Sequence, residues 1–132
     1  MSRANVDTVE RAIAALNARD INGYLACCTE DVELRTPWAE VGGTYDGPAG
    51  IERFLNDIED TSPDFRLDVR RLQAVGEDRV LAFIHSASTG RASGLSLAAD
   101  TTNVYELIDG KISRVQIFLD HREALDAVGL AE

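Results

Sequence analysis

Val6, Val9, Ile13 and Leu16 recur at steps of three and four residues, which puts them on one face of a helix and predicts that element over about residues 5–18. Beyond it, Asp20 is placed to cap a second, short helix carrying Tyr24, Leu25 and Cys28, in which Gly23 costs about 1 kcal/mol relative to alanine. The period then changes. Val32, Leu34, Thr36 and Trp38 alternate with Glu33, Arg35 and Pro37, as in a strand with one buried face. Pro37 has no N–H for the ladder, so the strand ends there or lies at an edge. GGTYDG reads as a loop. Pro48 then suits a first helical turn, and Ile51, Phe54, Leu55 and Ile58 follow at i, i+3, i+4 and i+7, a third helix that Ser62-Pro63 stops.

The rest reads as strands over roughly 65–75, 79–89, 94–108 and 111–119. Their separators are GED at 76–78, TGRASG at 89–94 and Asp109-Gly110, a two-residue hairpin signal, and such short connections make the sheet antiparallel. Asp120 precedes a short helix with Ala124, Leu125 and Val128, closed by Gly129. Helices first and a strand meander afterwards predict an α+β domain with helices on one face of the sheet. In VLAFI at 80–84 both faces are apolar, where a strand with one wet face would alternate. A second cover is therefore expected, either a partner subunit or the sheet itself curling into a barrel.

The 132 residues suit a single domain over 1–132, and 45% hydrophobic with 27% charged residues is the composition of a globular protein. Thirteen basic against 23 acidic residues give a net charge of -10, which repels phosphate backbones and anionic bilayers and argues against nucleic acid or a membrane as partner. Cys27 and Cys28 are neighbours and build no disulfide framework, and no run approaches the roughly 18–20 apolar residues that span a bilayer, so a reducing cytoplasm is the expected location. Twelve of the 13 basic residues are arginine, a hint of a GC-rich bacterial source. No GxGxxG, GxxxxGK[ST] or HExxH occurs, nor any Cys/His spacing suited to a metal, so neither cofactor nor metal is implied.

Three stretches, VERAIAALNARDINGYLACCTEDVELRTP, TYDGPAGIERFL and DGKISRVQIFLDHREALDAVGL, together resemble the SnoaL-like and ketosteroid-isomerase-like branch of the nuclear-transport-factor-2-like superfamily across essentially the whole chain. The resemblance implies a cone-shaped α+β barrel. A curved antiparallel sheet would carry three N-terminal and inserted helices on its concave face, a short C-terminal helix, a pocket between helices and sheet, and dimerisation through the outer sheet face. It does not carry over the isomerase chemistry. The family's Tyr that donates to the developing enolate falls at Ala12, its general-base Asp at Thr36, and its second acid at Asn103, which can donate a hydrogen bond but not transfer a proton. The Asp-Arg-Asp set of limonene-epoxide hydrolases has no counterpart, and Asp68 with Arg70 reads as a solvated ion pair. The acid/base Asp of SnoaL-type cyclases has Asp120 as its nearest positional match.

Asp120 also begins DHRE, where Glu123 three residues on completes a capping box, and reads first as a helix cap and second as chemistry. His85 shares strand parity with Leu81 and Phe83; if that parity faces the cone it is a candidate base, and otherwise it is a structural histidine on the outer face. His121 is expected in solvent. The odd positions of 95–107 form the more apolar face, which turns Asn103 and Tyr105 inward, Tyr105 either to orient a ligand or to fill the core. Trp38 and Thr36 share a row in which Trp38 either walls the pocket or closes the core. Phe54 is a further pocket candidate. Two functions follow: a cofactor-free acid/base enzyme (cyclase, isomerase or hydrolase type) on a small apolar carbonyl, polyketide or terpenoid-like compound, or a non-catalytic ligand-binding or assembly module of the same fold. Polar pocket residues with shifted pKa values favour the first, and a pocket filled by Trp38, Phe54 and Tyr105 the second.

Overall fold

In chain order, α1 (Ser2–Asn17) and α2 (Ile21–Leu25) lead into β1 (Cys28–Arg35), and β2 (Thr44–Asp46) runs directly into α3 (Gly47–Thr61). The meander β3 (Arg66–Val75), β4 (Arg79–Thr89), β5 (Ser96–Ile108) and β6 (Lys111–Phe118) ends in α4 (His121–Ala127). This computed structural model describes residues 2–36, 44–61, 64–89 and 96–129.

The stripe of α1 buries Val9, Ala12, Ile13 and Leu16, and that of α3 buries Ile51, Phe54, Leu55 and Ile58, all in one cluster against Val32, Leu34, Val80, Ala82, Ile84, Tyr105 and Val115 of the sheet. Asp20 caps α2 as expected, its carboxylate accepting from the Gly23 N–H at 2.9 Å. A Cβ on Gly23 would collide with that carboxylate, so the glycine costs helix propensity but makes room for the cap. At the end of α1, Arg19 takes a positive φ of 58° and its guanidinium donates to Leu16 O, Phe65 O and Glu59 Oε1, tying α1 to α3 and the start of β3.

The six strands lie in the order β2-β1-β6-β5-β4-β3, a curved sheet left open at β2 and β3. Four of the five neighbouring pairs are antiparallel, and β1 runs parallel to β6. The short turns that imply antiparallel pairing act only within the meander; β1 and β6 are separated by α3 and four strands, a connection long enough for either direction. The first strand also begins earlier than its alternation suggests, and Cys28 opens it instead of lying on α2.

The TYDG stretch, expected as loop, contributes an element the sequence pattern did not show. Thr44–Asp46 pairs with Glu33–Arg35 as an edge strand whose single inward side chain, Tyr45, is fully buried. Tyr45 meets Phe54 edge-on at 5.1 Å between centroids and donates its hydroxyl hydrogen to Asp57 Oδ2 at 2.9 Å. The first turn of α3 lies against the Tyr45 main chain so closely that a Cβ on Gly50 would stand 2.9 Å from its carbonyl carbon.

Part of the second face of VLAFI is covered from within the chain. Residues of alternate parity on β4 and β5 point to opposite sides. While Val80, Ala82 and Tyr105 enter the main core, Leu81 and Val104 enter a separate cluster with Ala124 and Val128 from the α4 end, flanked by Phe83 and Phe118. The C-terminal helix of the same chain thus lies on the outer face. Farther along that face, Arg35 meets Glu33 and Asp46 at 3.1 Å each in a solvated charge network. No helix among the described residues is long and apolar enough to cross a membrane.

Candidate functional site

Between the helices and the concave face of the sheet lies a cavity of about 30 Å³. It is lined by Leu16 from α1, Tyr24 from α2, Leu34 from β1, Phe54 from α3, Phe65 and Leu67 at the start of β3, Ser86 from β4, Thr101, Asn103 and Tyr105 from β5, and Val115 and Ile117 from β6. Eight elements converge there because each contributes its buried parity, so the walls are apolar and the polar atoms few. Ser86 spends its hydroxyl on Ala99 O at 3.2 Å. Asn103 is 3% exposed, and its Oδ1 has no hydrogen-bond partner among the described residues.

Two phenols face this space. Burial pushes Tyr105 up to about 12, partly opposed by a hydrogen bond from the Asn103 side chain. Tyr24 is raised well above its ordinary value by burial and by the neighbouring Tyr105, Cys28 and Cys27. Both phenols therefore keep their protons near neutrality and serve as hydrogen-bond donors, not as bases. Beneath them Cys28, pushed to about 12 by burial, donates to Tyr24 O at 3.4 Å and is a packed thiol, not a nucleophile.

Of the residues singled out in the sequence, Phe54, Asn103 and Tyr105 meet in this cavity. Thr36, half-buried beyond the end of β1, does not line it, and Leu34 of the same row does. Ala12 is wholly buried in the core. Trp38 falls outside the described residues. The two acid/base candidates lie elsewhere. His85 has the parity of Leu81 and Phe83, which is that of the outer face, so its imidazole is outside the cone with Nδ1 donating to Asp100 Oδ1 at 2.8 Å. The even positions Val80, Ala82, Ile84 and Ser86 face inward, which decides between the two orientations the sequence left open for His85. Asp120 is exposed and caps α4, accepting from the Arg122 N–H at 2.8 Å.

Sequence reasoning missed Tyr24 and Ser86. Tyr24 follows Asp20 in a helix of one turn and a half, too short for a readable stripe, and Ser86 inherits the inverted parity of its strand. A second concavity lies on the outer face, a groove of about 460 Å³ lined by Arg70, Phe83, His85, Asp100, Thr102, Leu119 and His121, among others. There His121, exposed as expected, has Nδ1 at 3.1 Å from Thr102 Oγ1 and its ring 4.9 Å from that of Phe83. Asp68 and Arg70 form the expected solvated pair at 3.4 Å, each 61% exposed. No group of three or more His, Cys, Asp or Glu among the described residues is arranged to hold a metal ion.

A family model described as a SnoaL-like domain matches residues 9–115. No curated protein matches the chain significantly. Among solved structures, TerC co-crystallised with polyporic acid is 27% identical, with a TM-score of 0.79 over 96% of this chain and 98% of that one. An NTF2-like protein of unknown function from Burkholderia pseudomallei is 22% identical with a TM-score of 0.80, covering 95% of this chain and 97% of its own. A putative polyketide cyclase from Xanthomonas campestris pv. campestris is 22% identical with a TM-score of 0.75, covering 96% and 98%. At 22% these last two speak to the fold alone, and that fold is the cone expected from the resemblance.

Proposed function

Because the chain belongs to the SnoaL-like domain family, we propose that its cone receives a small, largely apolar molecule and orients it through Asn103 and Tyr105. The observation that carries this reading is a buried amide and a proton-bearing phenol set in an otherwise apolar cavity at the meeting point of helices and sheet. The ligand-binding reading is favoured over a proton-shuttling enzyme because no carboxylate, imidazole or amine lines the cavity among the described residues. A space of about 30 Å³ holds no more than a water-sized group, so a ring must displace side chains, and half-buried Phe65, Leu67 and Ile117 are the ones free to move.

Polyporic acid, carried by the similar TerC structure, is the first compound to try. Titrated into the ¹⁵N-labelled protein, it should shift the amides of Leu34, Phe54, Ser86, Asn103 and Tyr105. Shifts confined to Thr102, His85 and His121 of the outer groove would refute the cone as the site. Pairing of two copies also remains part of this proposal. It would use the outer face that α4 leaves open, where Leu119 is 52% exposed beside the His85–Asp100 groove. Sedimentation at micromolar concentration showing only a species near the mass of one chain, 14.4 kDa, removes that part.

A further inference from the structure

The unpartnered Asn103 Oδ1 specifies more about the ligand than its size. Asn103 stands in the middle of β5, directly opposite Ala82 on β4 and Ile117 on β6. Neither neighbour carries a donor. Its amide nitrogen is engaged with the Tyr105 side chain, and the nearby Ser86 hydroxyl is committed to Ala99 O. A buried acceptor left in this state is costly, and nothing the fold supplies from the flanking strands relieves it. The lining also holds no Arg, Lys or His among the described residues, so an anion placed here would meet no opposing charge, only the neutral phenols of Tyr24 and Tyr105.

We propose, resting on the cone as the ligand site, that it selects a neutral compound presenting a hydroxyl group, which donates its hydrogen to Asn103 Oδ1 while an apolar body fills the space between Leu34, Phe54 and Val115. An alcohol, phenol or enol meets this description. An ether or ketone of the same shape has no hydrogen to donate, and a carboxylate brings an unpaired charge. At Asn103 Oδ1 the site therefore reads the ligand as a donor, the opposite sense to an oxyanion hole, where the protein donates.

Three naphthalenes of one shape test this: 2-naphthol, 2-methoxynaphthalene and 2-naphthoate, each titrated against the wild-type chain and followed through the amide shifts of the cavity residues. The expected order is 2-naphthol tightest, by about tenfold or more over the methyl ether, with 2-naphthoate weakest. Asn103→Leu should bring 2-naphthol and the ether to within about twofold of each other. An ether that binds as tightly as the naphthol, or a naphthoate that binds best, overturns the donor inference while leaving the cone as a site. If none of the three moves a cavity amide, both the inference and the cone reading fail. Should Asn103→Leu not fold, the wild-type ranking decides alone.

Discussion

Leu81 is 0% exposed in a cluster to which the α4 end contributes, and that placement can be measured. On the outer face of β4 its neighbours in the cluster are Val104, Ala124 and Val128, two of which come from the C-terminal segment. Truncating a fully buried leucine to alanine costs about 2–5 kcal/mol, from lost transfer energy and the cavity left behind. Truncating Val128, 8% exposed, removes part of the same contact from the other side at about 1–2 kcal/mol. If the two side chains share one packed cluster, the double variant should cost less than the sum by about 0.5–3 kcal/mol, since the second truncation acts on a contact already lost. Urea titration of the four proteins, followed by far-ultraviolet circular dichroism and analysed at constant m, yields these values. Were α4 not seated there, Leu81→Ala would be a surface change within about 0.5 kcal/mol and the cycle would be additive. Either result refutes the assignment of α4 as the cover of the outer face.

Gly50→Ala should destabilise the fold by about 1–3 kcal/mol, because the new methyl group meets the Tyr45 main chain, held in β2 by its pairing with β1; an unchanged urea midpoint would show that β2 yields. Tyr105 titrates near 12 in the folded chain against 10.0 when unfolded, so its contribution is complete below pH 10 and is lost as pH climbs toward 12, roughly 3 kcal/mol across that window. Tyr105→Phe should accordingly flatten the alkaline fall in stability, and an identical fall in both proteins would contradict it. Asp120→Ala should cost about 0.5–2 kcal/mol as a lost cap and leave ligand affinity in the cone unaltered; a change of affinity with no change of stability would restore Asp120 as a site residue.

The helices were legible because their stripes repeat over several turns. Val9, Ile13 and Leu16, or Ile51, Phe54, Leu55 and Ile58, leave one phase for the burial to take. On β5 the same holds at period two, and Asn103 and Tyr105 face inward as their row implies. β4 defeated this reasoning because burial on both faces erases alternation: nothing in VLAFI distinguishes the side under α4 from the side under α1. The register would have decided it, since Ala82 pairs with Asn103, so an inward odd row on β5 requires an inward even row on β4. That register depends on the connection between the two strands, whose length in residues does not determine how many of them pair. The side of His85 stayed open for this reason alone, and its carboxylate partner Asp100 is a cross-strand neighbour no local pattern announces. β2 was hidden differently. Three residues with one buried side chain carry no period, and Tyr45 gains its place only from α3 and β1.

The position of β6 between β1 and β5 bears on how the chain is made. Synthesis delivers α1, α2, β1, β2 and α3 first, then β3 to β5, and the strand that joins these two portions into one sheet emerges after both. Until it does, β1 and β5 each present a bare row of N–H and C=O groups, and the helices have only part of the surface they cover in the finished molecule. The contacts that complete the core are thus among the most distant in sequence, which slows folding and lengthens the interval in which a nascent chain can pair with another copy at either bare edge. α4 follows β6 directly, so the apolar strip around Leu81 is sheltered last of all. A ribosome stalled before residue 111 should hold a chain with its two halves unjoined.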